Sequence, residues 1–94
     1  MVISFAMQAS VPAAVLVQEL QGESVLLNLD SGRYFGLDGV GTSMWKAVTT
    51  AESVEAAYQA LLSEYDVQPD VLRRDLEGLI AKLVEHGLLE IRDR

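Results

Sequence analysis

Two apolar runs, Ala14 to Leu20 and Ser24 to Leu29, are rich in Val and Leu and are separated by Gln21-Gly22-Glu23. Short runs of this composition on either side of a glycine turn predict two antiparallel strands. The Asp30-Ser31-Gly32 turn then returns the chain through Arg33 to Leu37, which completes a three-stranded antiparallel meander. Alternation in the third strand sets Phe35 and Leu37 on one face and Tyr34 and Gly36 on the other. With Leu37 in the core, Phe35 shares its side and Tyr34 lies on the more open face. Unless another segment pairs with this last strand, its backbone N–H and C=O groups stay free along one edge. A free edge is a ready docking site for an extended peptide.

After Leu37 the period changes from two to that of a helix. Asp38 can cap a first helix, with Val40, Met44, Trp45 and Val48 at helical spacing, and Thr49 to Ser53 breaks it. In a second helix Val54, Ala57, Tyr58, Leu61, Leu62 and Tyr65 make an apolar face opposite Glu55, Gln59 and Glu64. Asp66-Val67-Gln68 leads to a third helix, Gln68 to His86, which opens with Pro69 and Asp70 and stops at Gly87. Leu72, Leu76, Leu79 and Leu83 form its central stripe; Ile80 and Val84 widen one flank, while Asp75, Lys82 and His86 mark the other. Leu88 to Ile91 is read as a short strand or an extended tail. Strands first and helices afterwards predict an α+β domain of winged-helix type, a three-stranded antiparallel sheet followed by three helices. The expected boundaries are an N-terminal arm at 1–13, the domain at 14–91 and a tail at 92–94. Within the arm, Val2 to Ser10 is read either as flexible or as an extra strand that covers an edge.

Composition narrows the function classes. With 94 residues, half of them apolar, and two prolines, the chain suits one domain with one core. Fourteen acids against seven bases give a net charge of −7, and no basic residue precedes Arg33. Nucleic-acid binding by counterion release needs the opposite balance. The absence of cysteine removes disulfides, a thiolate nucleophile and Cys-type zinc sites, and suits a cytoplasmic location. The apolar start MVISFAMQASVPAAVLV lacks the Lys or Arg of a signal peptide and is interrupted by Ser4, Gln8, Ser10 and Pro12. No later run approaches the ~18 apolar residues of a membrane span, so no membrane partner is expected.

The inventory for catalysis is thin. The single histidine, His86, sits in the last turn of the third helix, where an imidazole interacts well with the negative end of the dipole. No segment resembles a nucleophile elbow, and the carboxylates lack metal-site spacing. GLDGVG lacks the Lys-Ser/Thr ending of a phosphate loop, so Gly36, Gly39 and Gly41 are read as serving a strand end and a helix start. No catalytic residue, metal or cofactor is assigned. Gly78, which costs roughly 1 kcal/mol in mid-helix relative to alanine, is read as tolerated at the surface in preference to marking the approach of another chain.

The succession VLLNLDSGRYFGLDGVGTSMW, a helix ending in LLSEYDV, and then DVLRRDLEGLIAKLVEHGLLEI resembles the PqqD-like family, the RiPP recognition elements, most of all the small standalone members found with lasso-peptide biosynthesis. The likeness covers about Val15 to Ile91. It rests on Ser31 to Leu37 with Asp38 after it, Trp45, the EYDV link, and Asp75-Leu76 through Gly87-Leu88-Leu89. The resemblance implies that the leader of a ribosomally made precursor peptide adds as a fourth strand against the third, its side chains entering a groove beside the third helix. Carried onto this chain, the leader-binding residues are Arg33, Tyr34, Phe35, Gly36, Leu37, Leu72, Asp75, Leu76, Leu79 and Leu83. Asp75 and the acidic surface would favour a leader carrying Lys or Arg, and Arg33 would hold a leader carboxylate.

The implied partners are the precursor leader, a separate leader peptidase of the transglutaminase-like cysteine protease type, and a cyclase that acts afterwards. The chain departs from many relatives in its base-free N-terminus and in Asp38, where asparagine is common. Two other readings compete. A winged-helix transcription regulator would read DNA with the third helix, yet Arg73, Arg74 and Lys82 are interleaved there with Asp70, Asp75, Glu77 and Glu85. A self-associating module would pair the free strand with its own copy in a homodimer.

Overall fold

The computed structural model describes residues 3–93; Met1, Val2 and Arg94, the outer ends of the expected arm and tail, lie outside the described residues. A short strand β1 (Gln8–Ser10) precedes the meander of β2 (Val15–Leu20), β3 (Glu23–Asn28) and β4 (Tyr34–Leu37). The helices α1 (Gly39–Thr50), α2 (Val54–Glu64) and α3 (Pro69–Glu85) follow, and β5 (Glu90–Arg92) ends the order. The larger sheet is antiparallel in the order β2-β3-β4. This is the α+β arrangement that the change of period predicts. At the first hairpin Leu20 pairs with Glu23, so the loop is only Gln21-Gly22. Both loop residues have positive φ, 56° and 82°, the twist that a tight two-residue hairpin demands. Glu23, read from sequence as part of the turn, is therefore the first residue of β3.

One face of the sheet carries Ser24, Leu26 and Leu37, all buried against the helices. Met44, Trp45 and Val48 of α1, Val54, Ala57 and Leu61 of α2, and Leu72, Leu76, Ile80 and Leu83 of α3 join them in one cluster, with Leu88 and Leu89 after α3. Val40, in the first turn of α1, stays 53% exposed. The Ser24 and Thr42 hydroxyls are buried 2.8 Å apart and bond to each other, so this polar pair across β3 and α1 is satisfied. The opposite face of the sheet is open: Leu16, Leu20, Val25 and Tyr34 are all exposed on it.

The N-terminal segment is built into the core. Ile3, Phe5 and Ala9 are buried in the same cluster, and β1 pairs antiparallel with β5 through Gln8–Arg92, Ala9–Ile91 and Ser10–Glu90. Of the described part of Val2 to Ser10, only Gln8–Ser10 is a strand, and it pairs with β5 instead of with an edge of the larger sheet. The segment also completes α2. The Val54 and Glu55 N–H groups donate to the Met7 and Phe5 carbonyls at 2.9 and 2.7 Å, while Ser53 Oγ accepts from Ala56 N–H at 3.0 Å. These are donors that a helix start leaves without intrahelical partners. Phe5 meets Tyr58 edge-on at 5.7 Å between ring centroids, and the Arg73 guanidinium lies 3.9 Å over its ring. Phe5→Ala is therefore expected to lower unfolding stability by about 3–5 kcal/mol in urea denaturation, a loss that a segment merely lying on the surface would not produce.

Candidate functional site

The site begins with the direction of the β4 backbone. Asn28 N–H donates to the Arg33 carbonyl at 2.8 Å, and the register below it pairs Leu27 with Tyr34, Leu26 with Phe35, Val25 with Gly36 and Ser24 with Leu37. Antiparallel ladders alternate bonded and non-bonded pairs. Phe35 and Leu37 accordingly direct their N–H and C=O groups to β3, and Tyr34 and Gly36 direct theirs to the opposite edge. Among the described residues no strand pairs with that edge.

Beside the edge runs a groove. Its walls are Phe35 from β4 and Arg74, Asp75, Gly78, Leu79 and Lys82 from α3. At the C-terminal end of α3 it opens into a shallow dish formed by Gly32, Arg33, Tyr34 and His86. Toward the other end of α3, Asp75 also borders an apolar hollow lined by Val40, Met44, Tyr65, Val67 and Leu72. The Phe35 and His86 rings meet edge-on with centroids 5.6 Å apart. His86 Nδ1–H donates to the Lys82 carbonyl at 2.8 Å, which fixes the imidazole as a wall of the groove at the helix end.

One side chain ties the turn before β4 to the end of α3. Asn28, the last residue of β3, accepts at Oδ1 from the Asp30 and Ser31 N–H groups at 2.9 and 3.2 Å, which holds the turn into β4. Its Nδ2 donates at 2.7 Å to the carbonyl of Gly87, just beyond α3. Gly87 has φ of 72°, and a Cβ there would stand 3.2 Å from Asn28 Nδ2. The glycine therefore both ends the helix and makes room for the carboxamide.

The residues expected from sequence to bind fall into two groups. Arg33, Tyr34, Gly36 and Asp75 are exposed along the edge, dish and groove, and Phe35 and Leu79 are half-buried in the groove wall. Leu37, Leu76 and Leu83 are buried in the core, outside the groove walls, while Leu72, also buried, reaches the adjoining hollow. The flank of α3 that faces β4 is the one marked by Asp75, Lys82 and His86. Gly32, Arg74, Gly78, Lys82 and His86, which also line the groove or dish, are not among the binding residues expected from sequence, although Gly78 has a signal in its unfavourable mid-helix position. An added Cβ at Gly78 would meet nothing within 4 Å. Its surface setting agrees with the tolerance reading, and the surface is that of the groove.

Among the described residues no group of three or more His, Asp or Glu side chains is placed to hold a metal, and no helix is long and apolar enough to cross a membrane. The family model for coenzyme PQQ synthesis protein D (PqqD) matches residues 23–89, from the start of β3 to the end of the core. The chain belongs to the PqqD family. Two solved structures carry the likeness further. TbiB1, in complex with the TbiA(beta) leader peptide, is 34% identical, with a TM-score of 0.80 over 86% of this chain and 94% of that one. A lasso peptide synthetase B1 complexed with the leader peptide is 25% identical, with a TM-score of 0.78 over 88% and 98% of the two chains. No curated protein matches the chain in sequence.

In this PqqD-family chain the Asn28 junction is open to a direct test. Asn28→Asp keeps an acceptor for the turn amides and sets a carboxylate oxygen against the Gly87 carbonyl. The expected cost is about 1–3 kcal/mol in urea denaturation, and stability equal to the parent would show that the junction contributes nothing.

Proposed function

We propose that the protein captures the leader of a ribosomally synthesised precursor peptide, which adds as a strand to the free edge of β4 and lays alternate side chains into the groove along α3. The observation that carries this reading is the outward direction of the Tyr34 and Gly36 backbone groups beside a groove whose far wall is a helix. Backbone pairing supplies affinity with little demand on leader sequence, and the groove supplies the choice. The leader-bound states of the two similar structures support the same assignment. The reading gives the chain a binding role, with the chemistry left to an enzyme that receives the captured precursor. A separate leader peptidase fills that place, supported by the lasso-peptide character of one of those structures.

Strand addition makes an alternating signature. When the leader of the precursor encoded beside this gene is added, the amides of Tyr34 and Gly36 gain protection from hydrogen exchange. Phe35 and Leu37 are protected with or without it. A folded protein that shows no gain at Tyr34 and Gly36 would contradict strand addition. Protection already present without leader, and rising with protein concentration, would instead identify pairing of β4 with its own copy.

The groove has its own control in Gly78→Phe, whose side chain meets open space in the free protein. Thermal stability is expected to hold while leader affinity falls about tenfold or more, since binding would require that ring to be displaced. Calorimetric titration against the same leader measures it.

A further inference from the structure

We propose that the groove selects an acidic leader, with two carboxylate side chains four residues apart bracketing an apolar one. This deepens the leader-capture reading and rests on it. Six basic residues lie among the described ones. Three are engaged in ion pairs: Lys46 with Glu19 at 2.8 Å, Arg73 with Glu55 at 3.6 Å and Arg92 with Glu90 at 2.8 Å. The other three, Arg33, Arg74 and Lys82, form no ion pair among the described residues, and all three line the groove or its dish. Asp75 is the one acid on those walls. A chain of net charge −7 thus gathers the unengaged cations among its described residues where the leader would lie. Charges placed this way attract an anionic peptide to the groove while the acidic body repels it elsewhere. The expectation that the acidic surface favours a leader carrying Lys or Arg is replaced accordingly.

Spacing defines the pattern. Arg74 and Lys82 are eight residues apart on α3, about 12 Å at the helical rise. A strand alongside covers about 13 Å in four residues, with alternate side chains on one face. Carboxylates at i and i+4 therefore meet the two cations. The residue at i+2 faces the opening at Gly78, between Leu79 and Phe35, where no side chain intervenes. An apolar group fits there.

The test uses the synthetic leader of the precursor encoded beside this gene, followed by fluorescence anisotropy at low and high salt. Against Arg74→Gln/Lys82→Gln, Kd is expected to rise about tenfold at low salt, equal to about 1.4 kcal/mol, and to lose most of its salt dependence. Replacing the two leader carboxylates by amides should give the same loss in the parent protein and no further loss in the variant. Both substituted residues are exposed and unpaired, so the melting temperature should hold. A leader that binds the variant as tightly as the parent, or that binds without such a carboxylate pair, overturns the acidic selection and leaves leader capture standing. A leader that does not bind the folded parent protein overturns leader capture and the acidic selection with it.

Discussion

The Asn28 carboxamide is where the sheet and the third helix are held to each other. It is the only described side chain that bonds both to the turn before β4 and to the chain just beyond α3. β4 contacts the rest of the sheet along one edge only, and its strand is four residues long, too short to fix its own distance from a helix by packing alone. The contact at Gly87 supplies that distance at one end. At the other end the Asp38 cap, whose Oδ1 accepts from Gly41 N–H at 2.8 Å, ties the end of β4 directly into α1. A strand held at both ends presents its unpaired edge in a fixed position beside the groove. A site for an extended peptide needs that preorganisation, because every residue it must order on binding subtracts from affinity.

The N-terminal segment solves a different problem. A domain of this size has little apolar surface to bury, and the start of α2 leaves backbone donors to be satisfied. Residues 5–7 answer both needs at once: Phe5 enters the core while the Phe5 and Met7 carbonyls accept from α2. The pairing of β1 with β5 then joins the N-terminal segment to the chain beyond α3 in a sheet separate from the one that contains β4. Stability is gathered there, and the β4 edge is left free of structural duty.

The legible parts of the fold are those where one residue type has one local reason to stand where it does. The meander, the three helices, the Asp38 cap, Pro69 at the start of α3 and Gly87 at its end are of this kind. Strands β1 and β5 are legible only as one of two alternatives each, since three residues show no periodicity, and their pairing with each other, between residues as far apart in sequence as Gln8 and Arg92, has no local signal. The site was half legible. The edge of β4 follows from the hairpin turns, but the flank of α3 facing it depends on the helix's rotation, which is set by the packing of Leu72, Leu76, Ile80 and Leu83 into the core. Leu76 and Leu83 show why the stripe alone could not decide. A core and a groove both ask for leucine at helical spacing, and only the packing shows that these two are spent on the core.

On the proposed reading, the arrangement separates two properties that a peptide-binding domain must combine. With strand addition, affinity would come from the backbone groups of Tyr34 and Gly36, which are indifferent to sequence. Choice would come from a groove whose walls alternate charge and open space, where single substitutions would change preference without touching the core. The outer face of the sheet, with Leu16, Leu20, Val25 and Tyr34 exposed, belongs to neither. Tyr34 is the residue that links them: its backbone faces the free edge, its side chain stands on the outer face and it also borders the dish beside Arg33 and His86. A strand added to β4 would extend this same outer face by its own alternate side chains, so occupation of the edge changes the surface on the far side of the sheet from the helices. An enzyme that reads that enlarged face would distinguish the loaded from the empty protein with no conformational change in either.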